Sequence, residues 1–180
     1  MMSTRKTNRL KEYDYNQSGY YFITICIQNM KELLGAIVGG GVLDAPQVML
    51  SSFGQLIERQ LSAINTHYAR IDVQKYIIMP NHIHILMAIN NEMTGFSSPA
   101  NAILPSFIST FKRFVHKECG TKLFQRSYHD YIIRNESDYL RIWNYIDTNP
   151  AKWDEDCFNS KNFGASGTPP PTKISNNRKG

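Results

Sequence analysis

The segment "YIIMPNHIHILMAI" (residues 76–89) places His82 and His84 at the start of an apolar run that has the composition of a β-strand. Side chains alternate along a strand, so the two imidazoles project from one face while Ile83 and Ile85 project from the other. Imidazoles spaced in this way can converge on a single metal ion. On spacing alone, ordinary surface or core histidines remain the more frequent explanation.

The nearby sequence limits which metal these histidines would bind. A structural zinc site requires further cysteine or histidine ligands, and the sequence offers none close by. A harder cation, completed by an oxygen ligand and a substrate phosphate, is at least as good an interpretation.

A second set of polar side chains lies on one flank of a predicted helix in "DYLRIWNYIDTNP". The apolar stripe of this helix consists of Tyr139, Ile142, Trp143 and Ile146. Tyr145 lies beside the stripe, Asn149 follows one turn later, and Arg141 precedes it by nearly one turn. A phenol, an amide and a guanidinium are therefore presented together. The alternative is that the tyrosine only packs and that the asparagine before Pro150 only ends the helix.

The elements that must position these groups follow the order β-α-β-β-α-β, with one further helix at the end. The predicted strands are 19–29, 71–80, 82–90 and 123–134, and the predicted helices are 52–68, 102–120 and 135–153. This order predicts an α+β, ferredoxin-like (RRM-like) fold in which two helices cover one face of an antiparallel sheet. We expect the other face to be free. Residues 35–51 are predicted to be a glycine-rich loop with a possible short hairpin.

Composition predicts one domain, residues 18–159, between a polar basic arm (1–17) and a disordered tail (160–180). The net charge of +5 and the isoelectric point of about 9.1 suit a nucleic-acid partner without proving one. No apolar run is long enough to cross a membrane, and the first residues lack a signal-peptide stretch, so we expect a cytoplasmic protein. The 3 dispersed cysteines argue against a disulfide framework.

Three stretches together resemble a known family. "YIIMPNHIHILM", "FQRSYHDYIIRNESDYLRIWNYIDTNPAKW" and "RLKEYDYNQSGYYFITICIQN" are similar to the HUH single-strand DNA transposases that use one catalytic tyrosine, and most similar to their REP-associated branch. The resemblance runs from about Arg9 to about Trp153. It does not cover the glycine loop near residue 40 or the residues after Asn159.

The resemblance implies an enzyme that cuts single-stranded DNA near a hairpin and rejoins it. By this resemblance His82 and His84 bind Mg²⁺ or Mn²⁺, and Asn149 helps to hold the metal. Tyr145 would be the nucleophile that forms a 5′-phosphotyrosine link. Neighbouring tyrosines fit less well, because Tyr139 belongs to the packing stripe and Tyr128 and Tyr131 precede the helix.

A single-stranded or hairpin DNA partner would be contacted by basic side chains, although each of these is more often a plain surface charge. The candidates are Arg9, Lys11, Lys112, Arg113, Arg126, Arg134 and Arg141. Arg141 is also a candidate for activating the phenol of Tyr145. The sequence is compatible with a monomer or a homodimer, and it does not indicate a membrane partner.

Two other functions remain open at this stage. The same fold could bind hairpin or single-stranded DNA without catalysis, which the basic charge and the expected free sheet face would also explain. A metal-dependent hydrolase of small phosphoesters is a weaker alternative, because the sequence shows no further carboxylate or histidine ligand near the pair.

Overall fold

A computed structural model describes residues 17–41, 44–90, 103–159 and 161–162. The predicted basic arm, with Arg9 and Lys11, the predicted loop after Asn90, and nearly all of the predicted tail lie outside the described residues. Within the described ranges, every helix is too short or too polar to cross a membrane.

The described residues form the strands β1 (Gly19–Cys26), β2 (Gly35–Val38), β3 (Gln47–Leu50), β4 (Ile71–Ile78), β5 (His82–Ile89) and β6 (His129–Ile133). The central sheet has four of them in the order β4-β5-β1-β6, and all neighbouring strands run antiparallel. Helix α1 (Ser52–His67) connects β1 to β4, and helix α2 (Ile103–Cys119) connects β5 to β6. The predicted ferredoxin-like order and topology are therefore confirmed.

Helices α1 and α2 cover one face of this sheet, as the alternation of apolar residues predicts. The row Ile83, Ile85, Met87 and Ile89 of β5 is buried in one core with Tyr21, Ile23 and Ile25 of β1. The helices add Ile57, Leu61, Ile64, Leu104, Phe107, Ile108, Phe111 and Val115 to the same core. Burial of this apolar area stabilises the sheet against the two helices.

The second face of the sheet is not free, and that expectation is wrong. Helix α3 (Glu136–Thr148) lies on it, where Ile142 and Ile146 bury Phe22 and Leu86. A short 3₁₀ segment, Pro150–Glu155, continues from the helix. The apolar stripe of α3 has to be buried, and this sheet face is the apolar surface left over by α1 and α2.

The ends of the helices follow local sequence signals. Asn135 caps α3 by accepting a hydrogen bond from the backbone N–H of Asp138 at 2.8 Å, and the helix ends before Pro150. Helix α2 stops before Gly120, which has a φ of +69°. The possible hairpin between β1 and α1 is also present, as strands β2 (Gly35–Val38) and β3 (Gln47–Leu50).

Strand β6 is shorter than the predicted strand 123–134, and Lys112 on α2 gives the reason. Its ammonium donates to the backbone carbonyls of Gln125, Arg126 and Ser127 at 2.8, 3.3 and 2.9 Å. These carbonyls therefore bond to α2, while the preceding residues keep only an isolated pairing, through the bridge between Ile27 and Phe124. Lys112 is only 8% exposed, so its charge serves this loop instead of the surface at which it was expected to meet DNA.

Replacing Lys112 tests its structural role. Lys112→Met leaves three carbonyls without their charged donor, and it should lower the free energy of unfolding by about 2 kcal/mol in urea denaturation. The exposed Lys117 on the same helix is the control, and Lys117→Met should change that free energy by less than about 0.5 kcal/mol. Equal effects of the two substitutions would show that Lys112 is an ordinary surface charge.

Candidate active site

The two histidines lie at the start of β5 and are both fully buried, which follows from the covering of the second sheet face. They stand opposite Cys26 and Thr24 of β1 in the antiparallel register. The two Nε2 atoms approach each other to 3.0 Å. Strand alternation therefore does bring the pair together, but beneath the C-terminal segment and not on an open surface.

The outer nitrogen of His82 is fixed by Asn81. Asn81 Oδ1 lies 2.9 Å from His82 Nδ1, while its Nδ2 donates to the carbonyls of Met30 and Phe158 at 3.2 and 2.6 Å. Because the amide nitrogen faces two carbonyls, the amide oxygen must face the ring, and Nδ1 must carry the proton. His82 Nε2 is then an unprotonated lone pair that points into the site.

The carbonyl of Met30 is placed by a strained turn. Asn29 and Met30 have φ values of 56° and 54°, in the left-handed region that residues other than glycine seldom adopt. Such residues cost on the order of 1–3 kcal/mol each and persist where the surrounding structure fixes them. Here the turn presents an acceptor to Asn81 and so supports the orientation of His82.

His84 is held by the hydroxyl of Thr24, whose Oγ lies 2.9 Å from Nδ1. A hydroxyl can donate or accept, so Thr24 permits the tautomer in which Nδ1 carries the proton and Nε2 is free. Both imidazoles can therefore present bare Nε2 atoms to the same point.

Oxygen donors complete this cluster. Asp156 is buried, and its Oδ2 lies 4.0 Å from His82 Nε2; the ligand atoms of His82, His84 and Asp156 all lie within 4.8 Å of one another. Asn149 Nδ2 donates to Asp156 Oδ2 at 3.2 Å. That bond leaves Asn149 Oδ1 buried without a hydrogen-bond partner among the described residues. A buried acceptor of this kind is costly unless something binds it.

The donor set fits a divalent cation. It combines two imidazole nitrogens, a carboxylate and a partnerless amide oxygen, and the last two are ligands that harder cations prefer. Zinc sites with sulfur ligands have a different composition. The His82–His84–Asp156 group could thus hold a divalent metal ion.

Burial sets the ionisation of the ligands. It lowers the pKa of His82 well below the ordinary value, with the charge of His84 adding to the effect, and it lowers the pKa of His84 to about 3, with His129 adding to it. Both rings are therefore neutral at neutral pH, as metal ligation requires. Burial also raises the pKa of Asp156, against hydrogen bonds from Phe158, Asn149 and Cys157.

Tyr145 on α3 reaches this cluster. Its Oη lies 3.3 Å from His84 Nε2, and its ring packs edge-on against Phe22 and His84. Burial, with the charges of Asp156 and Cys157, raises the pKa of this phenol, and a hydrogen bond with Asn149 partly opposes the shift. The hydroxyl is therefore protonated in the metal-free site, and a nearby positive charge is needed to ionise it.

The other tyrosines near α3 direct their hydroxyls elsewhere. Tyr131 donates to Asp138 at 2.8 Å, and Tyr139 donates to Gln74 at 3.5 Å. Arg141 forms an ion pair with Asp138 at 2.7 Å, so its guanidinium points toward the start of the helix. The structure brings Tyr145 and Asn149 to the histidines, and it gives Arg141 a different partner from the phenol that it was expected to activate.

The remaining basic candidates are spread over the molecule. Arg126 and Arg134 are exposed just before and just after β6, an edge strand of the sheet. Arg113 is exposed on α2, on the side of the sheet opposite to Tyr145. Of the predicted DNA contacts that the structure describes, Arg126 and Arg134 are thus exposed along one edge of the sheet and Arg113 is exposed on its other side.

Asp156 and Asn81 are the site residues that the sequence reasoning missed. Asp156 lies in "DED" (154–156), where Asp154 and Glu155 are exposed and only the third acid is buried. No periodicity distinguishes it. Asn81 lies between the two predicted strands 71–80 and 82–90, and its place immediately before His82 was the available signal. The carboxylate of Asp156 supplies the further ligand whose absence near the histidines disfavoured a metal-dependent hydrolase of small phosphoesters.

The neutral burial of His84 predicts a pH-dependent stability. Its folded-state pKa lies below the unfolded value, so the unfolded chain binds more protons and the stability that His84 contributes at neutral pH is lost as pH falls below about 6.5. The prediction applies to protein kept free of metal by a chelator. Between about pH 7.5 and about pH 5, the free energy of unfolding should decrease by roughly 2 kcal/mol less in His84→Gln than in wild type.

Urea unfolding at the two pH values measures this difference. Asp156, with its raised pKa, acts in the opposite direction in both proteins and cancels in the comparison. His67→Gln, which removes an exposed histidine of α1, is the control and should behave as wild type. An unchanged pH dependence in His84→Gln would contradict a buried, neutral ring.

The site thus combines a ferredoxin-like sheet, paired histidines on a central strand and a tyrosine presented to them by the covering helix. No family model matches the chain. It is 29% identical over 170 residues to a Haemophilus influenzae protein of unassigned function, with 84% of this chain and 91% of that protein aligned. A second H. influenzae protein, provisionally named a REP-associated tyrosine transposase, is 25% identical over 151 residues, covering 77% of this chain and 74% of that protein.

A solved structure of a REP-associated tyrosine transposase bound to a REP hairpin has the same fold. It superposes with a TM-score of 0.51 at 19% identity, covering 84% of this chain and 74% of that one. The chain is therefore similar to the REP-associated tyrosine transposases in sequence and in fold, and the resemblance indicated by its motifs is confirmed.

Proposed function

We propose that this protein is a metal-dependent transposase or endonuclease that nicks and rejoins single-stranded, hairpin-associated DNA through a 5′-phosphotyrosine intermediate. The observation that carries the proposal is the position of Tyr145, whose Oη lies 3.3 Å from His84 Nε2 within the buried His82–His84–Asp156 group. A potential nucleophile and a potential cation site thus lie in direct contact.

Mg²⁺ or Mn²⁺ would be held by His82, His84, Asp156 and the partnerless oxygen of Asn149. Such a cation supplies positive charge that polarises a non-bridging oxygen of the scissile phosphate and offsets the charge of the transition state. The chain's own contribution is to keep the two imidazoles neutral and oriented through Asn81 and Thr24.

Tyr145 performs the covalent step. Its phenolic proton leaves to solvent, and the phenolate oxygen attacks phosphorus in line as the bond from phosphorus to the 3′-oxygen breaks. The leaving oxygen takes up a proton and becomes a free 3′-hydroxyl, while the 5′-phosphate remains on the tyrosine. Asn149 lies near the phenol and favours its ionisation, because its side chain lowers the pKa of Tyr145 against the effect of burial.

The covalent link preserves the energy of the phosphodiester. A 3′-hydroxyl from another strand can attack the phosphotyrosine and restore the phenol, so joining requires no nucleoside triphosphate. The DNA backbone would pass the exposed guanidinium groups of Arg126 and Arg134 beside β6. The solved relative that is bound to a REP hairpin supports hairpin DNA as the partner.

A DNA-binding module without catalysis is the second candidate. The exposed Arg126 and Arg134 would serve binding equally well, and the raised pKa of Tyr145 describes an unreactive phenol in the absence of a cation. Covalent chemistry separates the two candidates.

The covalent step is tested with a library of hairpin oligonucleotides that carry single-stranded tails, incubated with Mn²⁺ and resolved on a denaturing gel. Wild type should give a protein–DNA adduct, and Tyr145→Phe should give none, because the phenol that contacts the cluster is removed. Peptide mapping of the adduct should identify Tyr145 as the modified residue.

Tyr131→Phe is the matched control, since this nearby tyrosine bonds to Asp138 and should be dispensable for the adduct. An adduct that persists in Tyr145→Phe would disprove the assigned nucleophile. Hairpin binding without any adduct in wild type would favour the binding module.

The role of Asp156 is tested by metal affinity, independently of activity. Asp156→Asn removes the carboxylate of the cluster and should weaken Mn²⁺ binding, measured by electron paramagnetic resonance titration, by about tenfold or more. Asp154→Asn, an exposed acid two residues earlier, should leave the affinity unchanged. Equal affinities in the two variants would exclude Asp156 as a ligand.

A further inference from the structure

A cavity of about 390 Å³ lies at the end of the sheet remote from the histidines. It is lined by Gly19, Tyr20, Ile133, Arg134, Asn135, Glu136 and Tyr139, from the start of β1, the end of β6 and the start of α3. None of the residues assigned to the metal or to the covalent step lies in it. Its size is within the range of small-ligand sites.

Tyr20 gives this cavity an aromatic surface. The side chain is 44% exposed, although it lies on the sheet face that α3 covers, at the end of that face where β1 begins. Its ring is held by an edge-to-face contact with Tyr139, with 5.0 Å between the ring centroids. Tyr139 in turn packs against Trp143 at 5.9 Å. The edge of Tyr20 is thus fixed while much of its surface remains open to a stacking partner.

The charges at the rim differ in sign. Arg134 offers a guanidinium that can meet a phosphate, and Glu136 offers a carboxylate that can accept from an exocyclic amino group. An aromatic platform, a phosphate partner and a base-edge acceptor together match one nucleotide of a single strand. A lipid or a purely anionic ligand would use only some of these three groups.

The cavity is connected to the catalytic centre by β6. Tyr20 and Thr24 are four residues apart on β1, about 13 Å, and Thr24 stands in register with both His84 and His129. The edge of β6 therefore runs from the neighbourhood of Tyr145 to the cavity. At 3.4 Å per stacked nucleotide, this distance corresponds to about four nucleotides, and to fewer in an extended strand.

We propose that the cavity formed by Tyr20, Arg134, Glu136 and Tyr139 binds one base of the same DNA strand that is cut at Tyr145, a few nucleotides from the scissile phosphate. This inference rests on the proposed function and adds a specificity site to it. The base stacks on Tyr20, its backbone phosphate meets Arg134, and a base that carries an exocyclic amine is preferred because of Glu136.

The test measures fluorescence anisotropy with labelled hairpin oligonucleotides whose single-stranded tails contain one abasic site at each position in turn. Wild type should lose affinity by about tenfold when one particular tail position is abasic. Tyr20→Ala should weaken binding of the intact probe by a similar factor and should no longer respond to the abasic site at that position. Tyr20→Phe, which keeps the stacking surface, should restore both.

Two matched controls separate stacking from general effects. Phe114→Ala removes an aromatic side chain of similar exposure, 46%, from the opposite side of the sheet and should bind as wild type. Arg134→Gln should weaken binding at all tail positions and reduce the slope of log affinity against log salt by about one, whereas Arg59→Gln on α1 should not. Glu136→Gln tests the base site if Tyr20→Ala fails to fold, because it should remove the preference for a base with an exocyclic amine at that one tail position, and an unchanged preference would overturn the site.

The outcomes distinguish this inference from the proposed function. If wild type forms the Tyr145 adduct but Tyr20→Ala keeps the same dependence on abasic position, the base site is contradicted and the proposed catalysis is supported. If Tyr20→Ala abolishes that dependence but wild type forms no adduct, the base site is supported and the proposed catalysis is contradicted. Absence of DNA binding by wild type would overturn both.

Discussion

The burial of two imidazoles against each other is the interaction on which the rest of this structure depends. His82 and His84 have their Nε2 atoms 3.0 Å apart, and neither ring is exposed to solvent. Burial keeps both rings neutral, and the contacts of their Nδ1 atoms with Asn81 and Thr24 allow both Nε2 lone pairs to face one point, close to the carboxylate of Asp156. Such a group of acceptors is unfavourable by itself and becomes favourable when a cation occupies its centre.

The supporting contacts are explained by this constraint. Asn81 fixes the tautomer of His82, and the strained turn at Asn29 and Met30 holds the carbonyl that orients Asn81. Local strain of this kind is tolerated where the surrounding structure fixes it and where geometry matters for function. The strained backbone at Asn29 and Met30 thus helps to fix the orientation of the His82 ring.

The segment that buries the histidines also supplies the groups that act with them. The apolar side chains Ile142 and Ile146 dock α3 on Phe22 and Leu86. The position of that docking sets where the hydroxyl of Tyr145 lies, and it carries Asn149 and the following Asp156 to the cluster. The packing of α3 therefore both covers the second sheet face and positions the residues of the site. Displacement of α3 would separate those residues from the histidines.

Much of the fold could be predicted because it depends on local patterns. Alternation in β5 separated Ile83 from His82 and His84, and helical spacing placed Tyr145 beside Asn149 on the flank of α3. The stripe on α3 showed that the helix must pack, but not on which surface, and so the second sheet face was expected to be free. Lys112 was expected to contact DNA and Asp156 was missed for a related reason: a lysine within a helix and one acid among three reveal their roles only through contacts distant in sequence.

The most direct test of the central claim is a crystal structure of the full chain grown with Mn²⁺, with diffraction collected for the anomalous signal of manganese. The account predicts one strong peak between His82 Nε2 and His84 Nε2, within ligand distance of Asp156 and of the amide oxygen of Asn149, and beside the hydroxyl of Tyr145. An ordered site without a peak, or manganese bound only elsewhere, would contradict the account, because the two buried rings would then be packing residues and Tyr145 would have no cation to ionise it.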